Sequence, residues 1–330
     1  PSPYKKIIDY LKSDHRAFSK EEIFTNLYNY TPDIINSTIQ NHREFVPNIH
    51  NKEYFYYKMV DITDEELNAI EQIISKAIEI NTIINGQDLC KYIREKIPNI
   101  IEKNSYLTEV GLRKTINILL DDKFNFNGNV IAAYNDDTNS STLLNNYLNS
   151  KESFNISELE NFIQGLNIMI PWDKLYKNFI RLNETDFIRQ DDNLFGDIDL
   201  VDSFLDRCIQ RDYISFNELP PYTTFPNIKY MWNEFLLESF ISCYSTKYKL
   251  LHKSYTKTGV FGAIVKRTAK HIQSFDDLII HVLADSLELS SQMECQIFLR
   301  EMNYTVRADL SNIEEIMIKV RELRNSRENI

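Results

Sequence analysis

The sequence predicts a mainly α, α+β fold: small β-hairpins set among helices, arranged as tandem units and closed by a helical C-terminal segment. Two observations carry this expectation. One or two short helix patterns, a stronger helix pattern and then a hairpin recur along the chain, with hairpins centred near positions 52, 128, 192 and 258. Their spacing of about 65 to 75 residues is that of small domains in series, not of a solenoid. Helix starts are also marked repeatedly by capping boxes or by proline. The order of elements repeats, while no residue-level identity is read between copies.

The first unit is expected at 1–62. Tyr4 to Leu11 reads as a helix, and Ser19 with Glu22 forms a capping box for a second. Thr31-Pro32 opens a third, with Ile34, Ile35 and Ile39 facing inward. Phe45 to Ile49 and Glu53 to Val60 form the hairpin. Its run Tyr54-Phe55-Tyr56-Tyr57 places aromatics on both faces, one for its own unit and one for a neighbour. The second unit, 63–137, opens with a capping box at Thr63 and Glu66, continues through helices at 87–97 and 108–120, and ends in a hairpin around Asn127-Gly128. The third, 138–199, has helices at 142–148 and 156–166. Pro171 then starts a helix through Trp172, Leu175, Phe179 and Ile180, and a hairpin turns at Asp191-Asp192-Asn193. The fourth, 200–271, has a helix from Lys229 to about Cys243, then strands at 247–255 and 260–267 turning at Thr256-Lys257-Thr258-Gly259. Segment 272–330 reads as helical throughout, a degenerate fifth unit or a docking tail.

Composition narrows the classes. Seven glycines in 330 residues argue against a nucleotide-binding enzyme, whose phosphate loops need close backbone approach. Four widely spaced cysteines and no C-x-x-C predict reduced, mostly buried thiols and a cytoplasmic setting. No apolar run reaches the length of a membrane span, so no membrane partner is expected. The chain opens Pro-Ser-Pro without Met, as an excised or processed piece would. The six histidines show no metal-ligand spacing, Gly259-x-x-Gly262 lies between strands, and Asp121-x-Lys123 reads as an exposed helix end. No catalytic residue, metal or cofactor is therefore expected.

The order of elements, the capping boxes, proline opening the third helices and Asn127-Gly128 resemble the winged-helix superfamily, repeated four times over about residues 3 to 268. The resemblance is one of fold. It implies units that bind DNA or dock proteins.

Charge points to where DNA would bind. The chain carries net −11, yet 247–271 holds Lys247, Lys249, Lys253, Lys257, Lys266, Arg267 and Lys270 with no carboxylate. The fourth unit is net +4, the first is neutral, and the other three segments are each −5. A cationic wing suits phosphate contact, whereas Glu234 and Glu238, read as exposed on the preceding helix, would be repelled by a groove. In the first unit Asn36, Ser37, Gln40, Asn41 and Arg43 face outward as candidate base readers. In the third, Lys174, Lys177 and Arg181 share a helical face by i, i+3, i+7 spacing. The function expected is a non-enzymatic binder of double-stranded DNA, either a transcription regulator or the DNA-engaging subunit of a larger complex. The alternative is a protein-docking adaptor, through a partner or self-association, which net −11 favours.

Overall fold

A computed structural model of the chain describes residues 2–286, 288–307 and 310–329. The class is α+β: among the described residues, helices accompany four separate antiparallel sheets of three strands each. The chain falls into two compact units, Pro1–Ser150 with Asn161–Met169, and Lys151–Glu160 with Ile170–Ile330.

The first unit opens with α1 (Pro3–Leu11), β1 (Phe18–Ser19), α2 (Lys20–Asn26), α3 (Pro32–Asn41), β2 (Phe45–Ile49) and β3 (Glu53–Tyr56). The Ser19–Glu22 capping box starts α2, and Thr31 caps α3 with Pro32 at its first position. Strand order is β1-β3-β2. Tyr54 and Tyr56 close the core over Ile7, Leu11, Ile35 and Ile39. Ile34 is 43% exposed, contrary to the inward reading of all three isoleucines. Ile34 is rotated about 100° from Ile35 and falls outside the stripe that Ile35 and Ile39 turn to the core.

The chain continues with α4 (Asp64–Asn81), β4 (Ile83–Asn85), α5 (Gly86–Lys96), α6 (Pro98–Lys103), α7 (Glu109–Leu120), β5 (Phe124–Asn127), β6 (Val130–Ala133) and α8 (Ser140–Asn149). Sheet order is β4-β6-β5, and Gly128 takes φ +56 in the tight turn before β6. The register of β2 shifts between Pro47 and Ile49, and Asn48 in that irregularity turns to α7. Its Oδ1 accepts the Thr108 N–H at 2.8 Å, its Nδ2 donates to Tyr106 O at 2.9 Å, and Thr108 Oγ1 donates to Asn48 O at 2.5 Å. A Cβ on Gly111 would lie 2.5 Å from Asn48 Oδ1. The first hairpin thus sits on the N-terminal turn of α7, with Phe55 edge-on to Tyr106.

Next come β7 (Ser153–Asn155), α9 (Ile156–Leu166), α10 (Trp172–Asn178), β8 (Phe179–Arg181) and β9 (Asp186–Arg189), in sheet order β7-β9-β8. The third hairpin therefore lies earlier than expected. Phe179 and Ile180 leave the helix and form β8, because strand geometry buries both of them on opposite faces. Asp191-Asp192-Asn193 precedes Leu194 and Phe195, which join Ile180 of β8, Leu205, Phe235 and Phe240 in one core cluster.

The second unit ends with α11 (Ile198–Cys208), β10 (Tyr213–Ser215), α12 (Glu234–Cys243), β11 (Tyr248–Leu251), β12 (Ala263–Lys266), α13 (Phe275–Asp285), α14 (Gln292–Glu301) and α15 (Ile313–Glu328). Helix α12 starts at Glu234, not Lys229, because Asn233 caps it by accepting from Phe235 and Leu236 N–H. Sheet β10-β12-β11 is covered on both faces. Tyr248 and Ile264 join the core of α11 and α12, while Ala263, Val265 and Tyr213 join Leu278, Leu299 and Ile316 of the C-terminal helices.

A residue-level repeat emerges at the first strand of each sheet, against expectation. An apolar residue, Ser or Asn, two variable positions, an acid and an apolar residue recur four times. They are Phe18-Ser19 with Glu22-Ile23, Ile84-Asn85 with Asp88-Leu89, Phe154-Asn155 with Glu158-Leu159, and Ile214-Ser215 with Glu218-Leu219. In two of the four the acid closes the strand-to-helix corner: Glu22 accepts the Ser19 N–H at 2.7 Å and Glu218 accepts the Ser215 N–H at 3.0 Å.

Candidate nucleic-acid interface

The basic stretch is built from β11, the loop 252–262 and β12. The turn is longer than Thr256–Gly259, and positive φ falls on Gly262, at +99. A Cβ there would lie 2.2 Å from Leu251 O, so glycine permits the strands to close.

Arg181 holds this loop from inside. It lies on β8, fully buried, so the helical stripe of Lys174, Lys177 and Arg181 does not form. Its guanidinium donates to Thr256 O at 2.8 Å, Lys257 O at 2.5 Å and Glu184 O at 2.8 Å. It lies 4.1 Å from the centre of the Phe235 ring. Glu238 is buried too, contrary to its expected exposure, with Oε1 4.0 Å from Arg181 Nη1. Tyr176 donates to that oxygen and stacks on Tyr255 of the loop at 3.8 Å. Burial pushes the Glu238 carboxyl up to about 8, against the opposing pull of Tyr176 and Arg181. Burial and then Glu238 push the Tyr176 phenol well up. His252 is pushed down to about 4 by burial. Glu238 and Tyr176 are closed off from solvent, so this constellation serves as a latch between β8, α10, α12 and the loop.

The cations of the stretch are divided. Lys247 pairs with Asp206 at 2.6 Å and Lys257 with Glu160 at 2.8 Å. Lys249 donates to Ile272 O at 2.7 Å and Gln273 Oε1 at 3.1 Å, tying β11 to the C-terminal segment. Arg267 donates to Ser245 O at 3.4 Å. Lys253, Arg267 and Lys270 are exposed and Lys266 is half-exposed. Burial pushes the Lys249 ammonium down, and Lys270 and Arg267 add to the shift.

On α3, Ser37, Gln40 and Asn41 are exposed and Asn36 is half-exposed. Arg43 is exposed but paired with Asp121 at 2.5 Å, on the wall of an open cleft shared with Asn117, Phe126 and Tyr134. Lys177 is exposed and Lys174 half-exposed on α10, apart from Arg181. Within the second unit Lys249, Arg267 and Lys270 lie close enough for their charges to act on one another, whereas Lys247 and Lys257 are paired with carboxylates. Residues that sequence reasoning passed over include Asn48 and Asn233, which join hairpins to helices. For Asn233 the available signal was an Asn just before a helix pattern; Asn48, inside β2, had no such signal.

No protein-family model matches the chain, and no curated protein matches its sequence. Among the described residues, no group of three or more His, Cys, Asp or Glu could hold a metal ion, and no helix is long and apolar enough to cross a membrane.

Proposed function

We infer that the chain is a non-enzymatic docking scaffold built from winged-helix units, whose hairpins and third helices serve as protein-binding surfaces. One observation carries this reading: the same hairpin-to-helix junction occurs in both compact units. In the first, β2 seats on α7 through Asn48 and Thr108. In the second, β8 seats on α12: Arg181 N–H donates to Ser239 Oγ at 2.9 Å and Asn233 Nδ2 donates to Leu182 O at 2.7 Å. These junctions occupy the surfaces of α7 and α12 that would otherwise enter a groove. Net −11 is a further support, since phosphate neutralisation needs local positive charge.

A second reading, duplex DNA binding, is favoured by the cluster of Lys249, Arg267 and Lys270, close enough for its charges to act on one another. Lys253 and Lys266 would extend it, and Asn36, Ser37, Gln40 and Asn41 would read bases. A salt titration on two unrelated duplexes separates the readings, comparing the full chain with a Lys253→Gln, Lys266→Gln, Arg267→Gln, Lys270→Gln variant. The scaffold reading predicts binding no tighter than about 10⁻⁴ M at physiological salt, alike for both proteins. A slope of log K on log salt that flattens by about 0.9 per cation removed would establish the DNA reading instead.

A further inference from the structure

Helices α3, α7 and α12 begin in equivalent ways, after the N-caps Thr31, Thr108 and Asn233. Counted from the cap, the fourth and eighth residues are core in all three: Ile35 and Ile39, Leu112 and Ile116, Leu237 and Ile241. The cap, third and sixth positions can then be compared.

On α12 all three meet the hairpin or its core. Asn233 donates to Leu182 O, Leu236 is fully buried in the cluster containing Ile180 of β8, and Ser239 accepts the Arg181 N–H. On α7 the Thr108 hydroxyl donates to Asn48 O, and Gly111 lies under Asn48 and Phe55. On α3 the same places hold Thr31, Ile34 and Ser37. Thr31 and Ser37 are exposed, and Ile34 is 43% exposed. Position by position this face matches the docked face of α12: a capping side chain able to donate, a large aliphatic residue and a serine. Ser37 Oγ accepts only Asn41 Nδ2, at 3.3 Å, which leaves a lone pair for a second donor. Helix α3 carries Asp33 and no Lys or Arg, so phosphate does not suit it.

We propose that Thr31, Ile34 and Ser37 form a docking site for a β-hairpin presented by a partner protein, seated as β8–β9 seats on α12. The partner strand offers a backbone carbonyl to the Thr31 hydroxyl, an N–H to Ser37 Oγ and an aliphatic side chain to Ile34. Asn36 stands where α12 has Glu238, so the hairpin carries an apolar residue, not an arginine, at the place of Arg181. This site rests on the scaffold reading and names the class of partner.

The test uses the full chain with a copy of residues 178–190, carrying Arg181→Leu in that copy, joined to its N-terminus by a flexible Gly/Ser linker. The tether raises the effective concentration to about the millimolar range, where weak docking registers. Isoleucine-methyl NMR of the fusion is expected to show the Ile34 methyl displaced from its position in the unfused chain, with Ile35 and Ile39 unmoved. A scrambled hairpin should leave Ile34 in place. With the copied hairpin shown to be folded by its cross-strand nuclear Overhauser contacts, an Ile34 signal identical in fused and unfused chains overturns the proposal. A concentration-dependent shift of Ile34 in the unfused chain would assign the face to a second copy and overturn the partner assignment. Salt-dependent duplex binding alongside an intact hairpin shift would remove the scaffold reading and leave the site standing.

Discussion

Glu238 ties the stability of the second unit to pH through one buried carboxyl. Its ordinary value is 4.5, and burial raises it to about 8. Between those values the folded chain holds a proton that the unfolded chain has released. Stability therefore falls as pH rises across that window. Urea denaturation at pH 5, 6.5 and 8 should show the midpoint of the wild type dropping more than that of Glu238→Gln. Parallel behaviour of the two proteins would mean that Glu238 is already ionised at pH 5. The sequence placed Arg181 and Glu238 at the surface because charged side chains are seldom fully buried without partners. Their partners are the Thr256 and Lys257 carbonyls and Tyr176, far away along the chain, and no local pattern announces them. Ile34 misled in the opposite direction, since an apolar residue beside a core residue reads as core until helical rotation is counted.

At the scale of elements, the junction between β2 and α7 sets two effects of Gly111→Ala against each other. Alanine gains about 1 kcal/mol in a helix interior over glycine. The new Cβ would meet Asn48 Oδ1 at 2.5 Å and Phe55 Cε1 at 3.0 Å. Asn48 cannot swing away without losing its bonds to Thr108 and Tyr106, and overpacking of this kind costs about 1–3 kcal/mol. The clash is expected to win, lowering stability by up to about 2 kcal/mol in chemical denaturation; a stabilised variant would contradict a seated hairpin. Most helices were legible because their caps are explicit, as at Ser19, Thr31 and Thr63. Strand β8 was not. Leu175 and Phe179 stand one helical turn apart, and a short strand buried on both faces has no alternation to distinguish it from a helix. The fourfold strand–cap motif was present in the sequence, but it lines up on caps such as Asn85 and Ser215, and the hairpin turns obscure it.

At the scale of the whole molecule, the sequence located the cations of 247–271 but not what they meet. Asp206, Glu160 and the Ile272 carbonyl lie outside that stretch, and only folding brings them to Lys247, Lys257 and Lys249. The C-terminal helices read as a degenerate fifth unit or a docking tail, and they cover Ala263 and Val265, so the fourth hairpin is sheathed on both faces. On the scaffold reading proposed above, the hairpins and third helices meet protein and leave a duplex alone. Hydrogen exchange of the full chain at low salt, with and without saturating double-stranded DNA, separates that reading from duplex binding. Exchange across 247–271 and 31–43 is expected to stay unchanged when duplex is added. DNA-dependent protection confined to those two stretches would contradict it and restore the cationic hairpin as the working surface.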